Sequence, residues 1–298
     1  MSNSKRRLPM VQMDVFTAKP LEGNQLAVFP DARRLSDEEM QSLARETNLS
    51  ETTFIFPRVP ATEQERGVRV RIFTVSEELP FAGHPTLGTA MVLRNGRPGG
   101  GDEIALDLKI GKIPVRFSQR DGLPFGVMTQ RDPEFGQTHD REAVARAAGL
   151  ALNEIADDVP IQTVSTGNAF AIVPVKSLAV LQGLAPAWAS MGEYLNKTDA
   201  KFFYFVSRQA VNPAASLQTR MIFYNGEDPA TGSAAGPCAA WAVKYGVVPA
   251  EQEALLEQGV EMKRRSRIFL SAARAGGKIV NVRVGGHAIE VMRGEVVL

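Results

Sequence analysis

Met10 to Phe16 alternates apolar and polar side chains, with Val11, Met13 and Val15 on one face, as a half-buried strand does. Lys19 to Asn24 reads as a turn, and Leu26 to Phe29 as the returning strand. Ser36-Asp37-Glu38-Glu39 is a capping box that opens a helix through Met40, Leu43 and Ala44, with Asn48 as its stop. β-Branched and aromatic residues make Thr52 to Phe56 a strand, and Val68 to Phe73 alternates as another. A tight turn reaching Gly83 then leads into an apolar helix ending near Leu93. The glycine-rich run Gly96 to Gly101 is a hairpin or helix exit; without a Lys-Ser/Thr ending it is not a phosphate-binding loop. Strands follow at Glu103 to Leu108, Ile113 to Phe117 and Gly126 to Gln130, and Asp140 starts an Ala-rich helix ending at Gly149.

The pattern then restarts. Gln162 to Val173 mirrors Val15 to Phe29, pairing Gly167-Asn168 with Gly23-Asn24. Lys201 to Val206 and Thr219 to Phe223 are strands, followed by a turn and a helix from Gly232 to Tyr245. At an offset of 149, Arg71-Ile72-Phe73, Glu78, Pro80 and Gly83 answer to Arg220-Met221-Ile222, Glu227, Pro229 and Gly232. Two landmarks in the same order, at spacings of 60 and 65 residues, indicate a duplication. Ile268 to Leu270, Lys278 to Val284 and Ala288 to Met292 complete the strands, with Gly285-Gly286 as an expected hairpin turn. The fold class is therefore α+β: two halves, each a mixed, mostly antiparallel sheet with a long helix packed on it. The expected boundaries are residues 8–126 and 127–287.

Composition narrows the function. The 298 residues carry 34 basic and 33 acidic side chains, so no global field invites nucleic acid or an anionic membrane. Lys263-Arg264-Arg265-Arg267 lacks interleaved aromatics and reads as the coat of a solvated edge strand. A single cysteine, Cys238, fits a reducing cytosol, and its place in an apolar helix suits a core role. No apolar run approaches the ~20 residues of a membrane helix. His84, His139 and His287 show no metal-ligand spacing, no Gly-x-Ser-x-Gly elbow is present, and no Gly-x-Gly-x-x-Gly follows a strand.

What remains are the two glycine turns. A glycine at a helix mouth leaves N–H groups uncovered, and these together with the helix dipole attract an anion. Gly83 and Gly232 are thus candidate binding positions. Glu51 lies between a helix stop and an apolar strand, His84 follows Gly83, Asp228 lies in the second turn, and Ser233 follows Gly232. Each has an ordinary alternative: a solvated loop acid for Glu51, helix capping for His84 and Ser233, turn formation for Asp228.

Taken together, Asp14 to Thr17, Gly23-Asn24, Asn48 to Thr52, Glu78 to Gly88 and Glu227 to Ala234 resemble the PhzF-like phenazine-biosynthesis isomerases over nearly the whole chain. The resemblance implies a diaminopimelate-epimerase-like fold, two pseudo-symmetric domains each wrapped around a central helix, with the site in the cleft between them. It also implies that a last strand, about residues 288–298, returns to the first half. The family's catalytic glutamate, histidine and aspartate fall on Glu51, His84 and Asp228, and its serine on Ser233. Epimerising relatives carry a cysteine in each glycine turn; Ala82 and Thr231 stand there, which excludes a two-thiol mechanism. Gln25 replaces a frequent proline, and the lead-in Tyr224-Asn225-Gly226 is shorter than usual. The expectation is a cofactor-independent, metal-free, cytoplasmic isomerase, a homodimer by the resemblance, that shifts a proton in a small carboxylate. Burial would raise the pKa of Glu51, its base. An amino-acid racemase or epimerase with non-cysteine bases and a ligand-binding protein without turnover are the alternatives.

Overall fold

The computed structural model describes residues 5–97, 99, 101–186, 188–223 and 226–298. Tyr224 and Asn225 of the short lead-in, and residues 98 and 100 of the glycine-rich run, lie outside the described residues. In chain order come β1 (Arg7–Val15), β2 (Asn24–Phe29), α1 (Asp37–Thr47), β3 (Glu51–Phe56), α2 (Pro60–Arg66) and β4 (Val68–Phe73). β5 (Glu78–Leu79), α3 (Gly83–Asn95), β6 (Glu103–Leu108), β7 (Gly111–Arg120) and β8 (Leu123–Thr129) follow. The next stretch holds β9 (Glu134–Thr138), α4 (Arg141–Ala148), β10 (Gln162–Ser165), β11 (Ala169–Val175), α5 (Leu178–Gly183), α6 (Trp188–Leu195) and β12 (Phe202–Ser207). β13 (Leu217–Phe223), β14 (Gly226–Asp228), α7 (Gly232–Lys244), β15 (Ala254–Gln258), β16 (Ser266–Ala275), β17 (Lys278–Gly286) and β18 (Ala288–Val297) end the chain.

The chain divides into two compact units, residues 1–128 with 286–298, and residues 129–285. In the first, the strands run β18-β1-β2-β3-β4-β6-β7-β8, with β5 folded back on β4. In the second the order is β9-β10-β11-β12-β13-β15-β16-β17, with β14 folded back on β13. The two orders match strand for strand, and so do the directions. Among the described residues only β2–β3 and β4–β6 are parallel in the first unit, and only β11–β12 and β13–β15 in the second. The fold class is α+β, a mixed sheet with few helices.

Each unit wraps its sheet around one helix. α3 packs on β1, β2 and β6, and α7 on β10, β11 and β16. Both are largely buried, as a helix surrounded by sheet must be. Residues 83–91 of α3 and 232–243 of α7 are buried without interruption. Gly88 lets α3 approach the sheet, because a Cβ there would meet Leu26 Cδ2 at 2.6 Å and Val15 Cγ2 at 2.8 Å. A second apolar cluster in the first unit, including Phe29, Phe54 and Phe73, packs with α1 on the other side of the strands.

Three sequence expectations change. Gly285 and Gly286 belong to β17, Gly285 pairing with Phe269; the β16–β17 turn is made by Gly276 and Gly277, whose φ values are +56° and +77°. Of the basic cluster only Arg267 lies in a strand, β16, where it pairs with Glu257 of β15; Lys263, Arg264 and Arg265 precede that strand, so the cluster as a whole does not coat an edge strand. Neither His84 nor Ser233 caps a helix: the N-cap residues are Ala82 and Thr231, and neither provides a side-chain cap. Among the described residues no helix is long and apolar enough to cross a membrane.

Candidate active site

In the first unit the site grows out of the β1–β2 turn. Asp14, buried in β1, accepts the Leu21 N–H at 2.7 Å and ties the turn down. Gly23 closes it at φ +71°, where a Cβ would meet the Val15 carbonyl at 2.4 Å, so only glycine fits. Asn24 follows as the first residue of β2, and parallel pairing sets Leu26 of β2 opposite Glu51 of β3. α3 begins beside them, with His84 in its first turn.

His84 is the hub of this half. Its Nδ1 lies 3.1 Å from Asn24 Nδ2, and its Nε2 lies 3.3 Å from Glu51 Oε2. The second contact is within ion-pair distance but out of line for a hydrogen bond. An amide nitrogen can only donate, so in this orientation of Asn24 the ring nitrogen Nδ1 accepts and the imidazole proton sits on Nε2, facing the carboxylate. Burial pushes the imidazole down to about 3, a backbone group of Gln25 working against it. His84 is thus neutral at physiological pH, and its Nε2–H faces the Glu51 carboxylate without an in-line hydrogen bond. The Glu51 side chain keeps 15% of its surface exposed against 3% for His84, although the Oε2 that faces the imidazole is buried.

Both helix mouths lack a side-chain cap. With Ala82 as N-cap no side chain crosses the first turn of α3, and Pro85 in that turn has no N–H, so Gly83 and His84 present the donors. At α7 the donors are those of Gly232 and Ser233, and Ser233 is buried within the turn. The dipole adds a partial positive charge at each mouth.

In the second unit Asp228 ends β14, and its Oδ2 accepts the Thr231 hydroxyl at 2.6 Å. Gln258 donates to the Asp228 carbonyl at 2.7 Å and to Thr231 Oγ1 at 2.9 Å. Gln130 braces the first turn of α7 by donating to the Gly232 carbonyl at 2.9 Å, while its Oε1 accepts the Thr166 hydroxyl at 2.6 Å. Sequence reading placed Glu51, Gly83 and His84, which meet in the first unit, and Asp228, Gly232 and Ser233, which share one turn and helix start in the second. It missed Thr231, Gln258 and Gln130 as site residues. A polar residue ending Ala254-Leu255-Leu256-Glu257-Gln258 carries no signal of what its strand will face.

Other reactive side chains are occupied elsewhere. Burial pushes the Cys238 thiol up to about 12, leaving it inert in α7. His139 joins Tyr194 at 2.9 Å and Thr163 at 2.7 Å, and His287 lies 2.9 Å from the Pro124 carbonyl. Among the described residues no group of three or more His, Cys, Asp or Glu side chains could hold a metal ion. A cavity of about 460 Å³ in the first unit is lined by Glu63, Gln64, Arg97, Glu103 and Lys112 among others, none of them a candidate site residue.

Comparison with known proteins agrees with this architecture. The family described as phenazine biosynthesis-like protein, PhzC-PhzF, matches residues 13–294. An uncharacterized isomerase of Mesorhizobium japonicum is 37% identical over 295 residues, 95% of this chain and 96% of its own. The trans-2,3-dihydro-3-hydroxyanthranilate isomerase of Pseudomonas aeruginosa is 34% identical and spans 97% of this chain and 99% of its own. The crystal structure of a Bacillus anthracis phenazine biosynthesis protein of the PhzF family superposes with a TM-score of 0.87 at 27% identity, covering 98% of this chain and 100% of that one. By a match that runs almost from end to end, the chain belongs to the phenazine biosynthesis-like PhzC-PhzF family and is an enzyme of the isomerase class.

Proposed function

We propose that the protein isomerises a small carboxylate-bearing carbon acid by moving a proton from one carbon to another. The observation that carries this reading is the Glu51–His84 pair: a carboxylate 3.3 Å from a buried, neutral imidazole, beside the open mouth of α3. Glu51 removes a proton from carbon, the electron pair shifts along the adjoining double bond, and the same carboxyl returns the proton at the far carbon. The change is redox-neutral, so the reaction class calls for no electron carrier. Backbone N–H groups at Gly83 and Gly232 bind the substrate carboxylate or the enolate oxygen that develops, the kind of stabilisation that is often the largest catalytic contribution. His84, Asp228 and Ser233 orient the substrate through hydrogen bonds. The substrate named for the Pseudomonas aeruginosa relative is an unsaturated ring carboxylate of this class, and it is the first compound to try.

Proton NMR in D2O tests the reading, with wild type and Glu51→Gln side by side on trans-2,3-dihydro-3-hydroxyanthranilate and related unsaturated and amino carboxylates. Deuterium should enter a carbon position with wild type and not with the variant. Equal entry with both proteins would remove Glu51 from the chemistry.

A further inference from the structure

The turn that carries Asp228 is held from behind by hydrogen bonds whose directions are fixed by the Gln258 amide. Gln258 is fully buried at the end of β15. Its Nε2 is a donor only, and its two hydrogens go to the Asp228 carbonyl and to Thr231 Oγ1. Thr231 Oγ1 therefore accepts from Gln258, and its own hydrogen points to Asp228 Oδ2. Gln258 Oε1 in turn accepts the Thr231 N–H at 3.2 Å and the Tyr204 hydroxyl at 2.9 Å. Tyr204 is also 2.9 Å from Thr219 Oγ1.

The first unit shows that the fold does not need this network. Arg69 pairs with Asp107 as Gln218 pairs with Glu257, which places Gln258 at the position of Leu108. Phe54 pairs with Arg71 as Phe205 pairs with Arg220, which places Tyr204 at Thr53. The offset of 149 sets Asp228, Thr231 and Thr219 at Leu79, Ala82 and Val70. The same frame thus stands with apolar side chains at four of the five places. Buried polar groups are costly unless every one is satisfied. A satisfied set confined to the unit whose turn carries an aspartate has a local purpose.

We propose that Thr231 and Gln258 are positioning residues for the Asp228 carboxylate, on the reading above that Asp228 acts on the substrate. Gln258 commits the Thr231 hydroxyl to donation, and that hydroxyl fixes the direction of Oδ2.

The test compares crystal structures and exchange kinetics, with trans-2,3-dihydro-3-hydroxyanthranilate as the probe. The variants are Thr231→Val, Thr231→Ser, Gln258→Leu, Asp228→Asn and the double variant Thr231→Val with Asp228→Asn. Valine keeps the shape of threonine without the hydroxyl, and leucine is the residue at the matching place in the first unit. In Thr231→Val and Gln258→Leu the Asp228 carboxylate should leave its position and kcat fall ~10- to 100-fold with KM little changed. Thr231→Ser should restore both, and the double variant should be no slower than Asp228→Asn alone. An Asp228 carboxylate that superposes on wild type in both Thr231→Val and Gln258→Leu overturns the proposal, as does full additivity in the double variant. A wild-type rate in Asp228→Asn would sink the reading of Asp228 instead, and the crystal structures would still decide whether Thr231 and Gln258 hold it.

Discussion

The two units of this chain repeat a frame and differ in the side chains mounted on it. In the first, Arg71 grips Glu78 through two hydrogen bonds of 2.8 and 2.7 Å, joining β4 to β5 ahead of the glycine turn. In the second, Arg220 grips Glu227 with the same pair of distances, joining β13 to β14. The ion pair, the turn and the buried helix are thus common to both. The chemistry is not. Leu26 pairs with Glu51 as Phe170 pairs with Phe202, so the place of the candidate base holds a phenylalanine in the second unit. His84 answers to Ser233, and Asp228 to Leu79. A repeated frame supplies two helix mouths with uncovered N–H groups, and a few side-chain exchanges decide which unit carries the candidate base and which an aspartate on a polar brace.

The largest test of that contrast changes the residue at this matching place in each unit. Glu51→Gln should lower the exchange rate by ~10²- to 10⁴-fold with an unchanged melting temperature. Phe202→Leu, in a side chain packed on Phe170 and Trp188, should cost about 1 kcal/mol of stability and leave exchange intact. Denaturant melts and the D2O assay read both; loss of exchange in Phe202→Leu would break the assignment of chemistry to one unit.

The shared ion pairs come next. Arg220 is more deeply buried than Arg71, and it also donates to the Leu181 and Leu184 carbonyls at the end of α5. Removing one partner of a buried pair strands the other charge. Arg220→Met should therefore cost ~3–5 kcal/mol, and Arg71→Met, whose partner Glu78 retains Lys109, about 1–3 kcal/mol. Equal losses in urea melts would show that the carbonyl contacts of Arg220 contribute nothing.

Glycines in the central helices sharpen the comparison further. A Cβ on Gly236 would fall 1.9 Å from Gln130 Oε1, the atom that accepts from Thr166, whereas on Gly88 it meets only aliphatic side chains. Gly88→Ala and Gly236→Ala should each cost about 1–3 kcal/mol by overpacking. Only Gly236→Ala should also displace Gln130 from the Gly232 carbonyl, which a crystal structure would show.

The last comparison is one of pH. His84 is neutral in the fold down to about 3, but in the unfolded chain it takes a proton below its ordinary 6.5. The unfolded state therefore binds more protons between those values, so stability is full above pH 6.5 and is lost as the pH falls toward about 3. The slope reaches ~1.4 kcal/mol per pH unit within that window. Wild type should show it relative to His84→Gln, and imidazole NMR should report a neutral ring with its proton on Nε2 from pH 5 to 8. A ring that titrates near 6.5 would contradict the burial argument.

Features set by neighbouring residues were legible in the sequence. Ser36 and Glu39 form the reciprocal capping box on α1, Asn48 ends that helix in the left-handed conformation, and Asp140 and Gly149 bound α4. β5, β9, β14 and β15 went unread; β5 and β14 have only two and three residues and exist through pairing with β4 and β13. The short helices α2, α5 and α6 were missed for want of a full apolar period. The site divides in the same way. Glycine turns announce themselves locally, and the family motifs pointed to Glu51, His84 and Asp228. Gln258 reaches Asp228 only through the register of β15 on β13, which no local pattern encodes.

The central claim is that the two units play unequal chemical roles, with the proton on carbon handled from the first. Its most direct test is deuterium wash-in to trans-2,3-dihydro-3-hydroxyanthranilate in D2O by Glu51→Gln and Asp228→Asn under identical conditions. Glu51→Gln should abolish wash-in, while Asp228→Asn should slow it and leave it measurable. Wash-in retained by Glu51→Gln and lost in Asp228→Asn would contradict the claim.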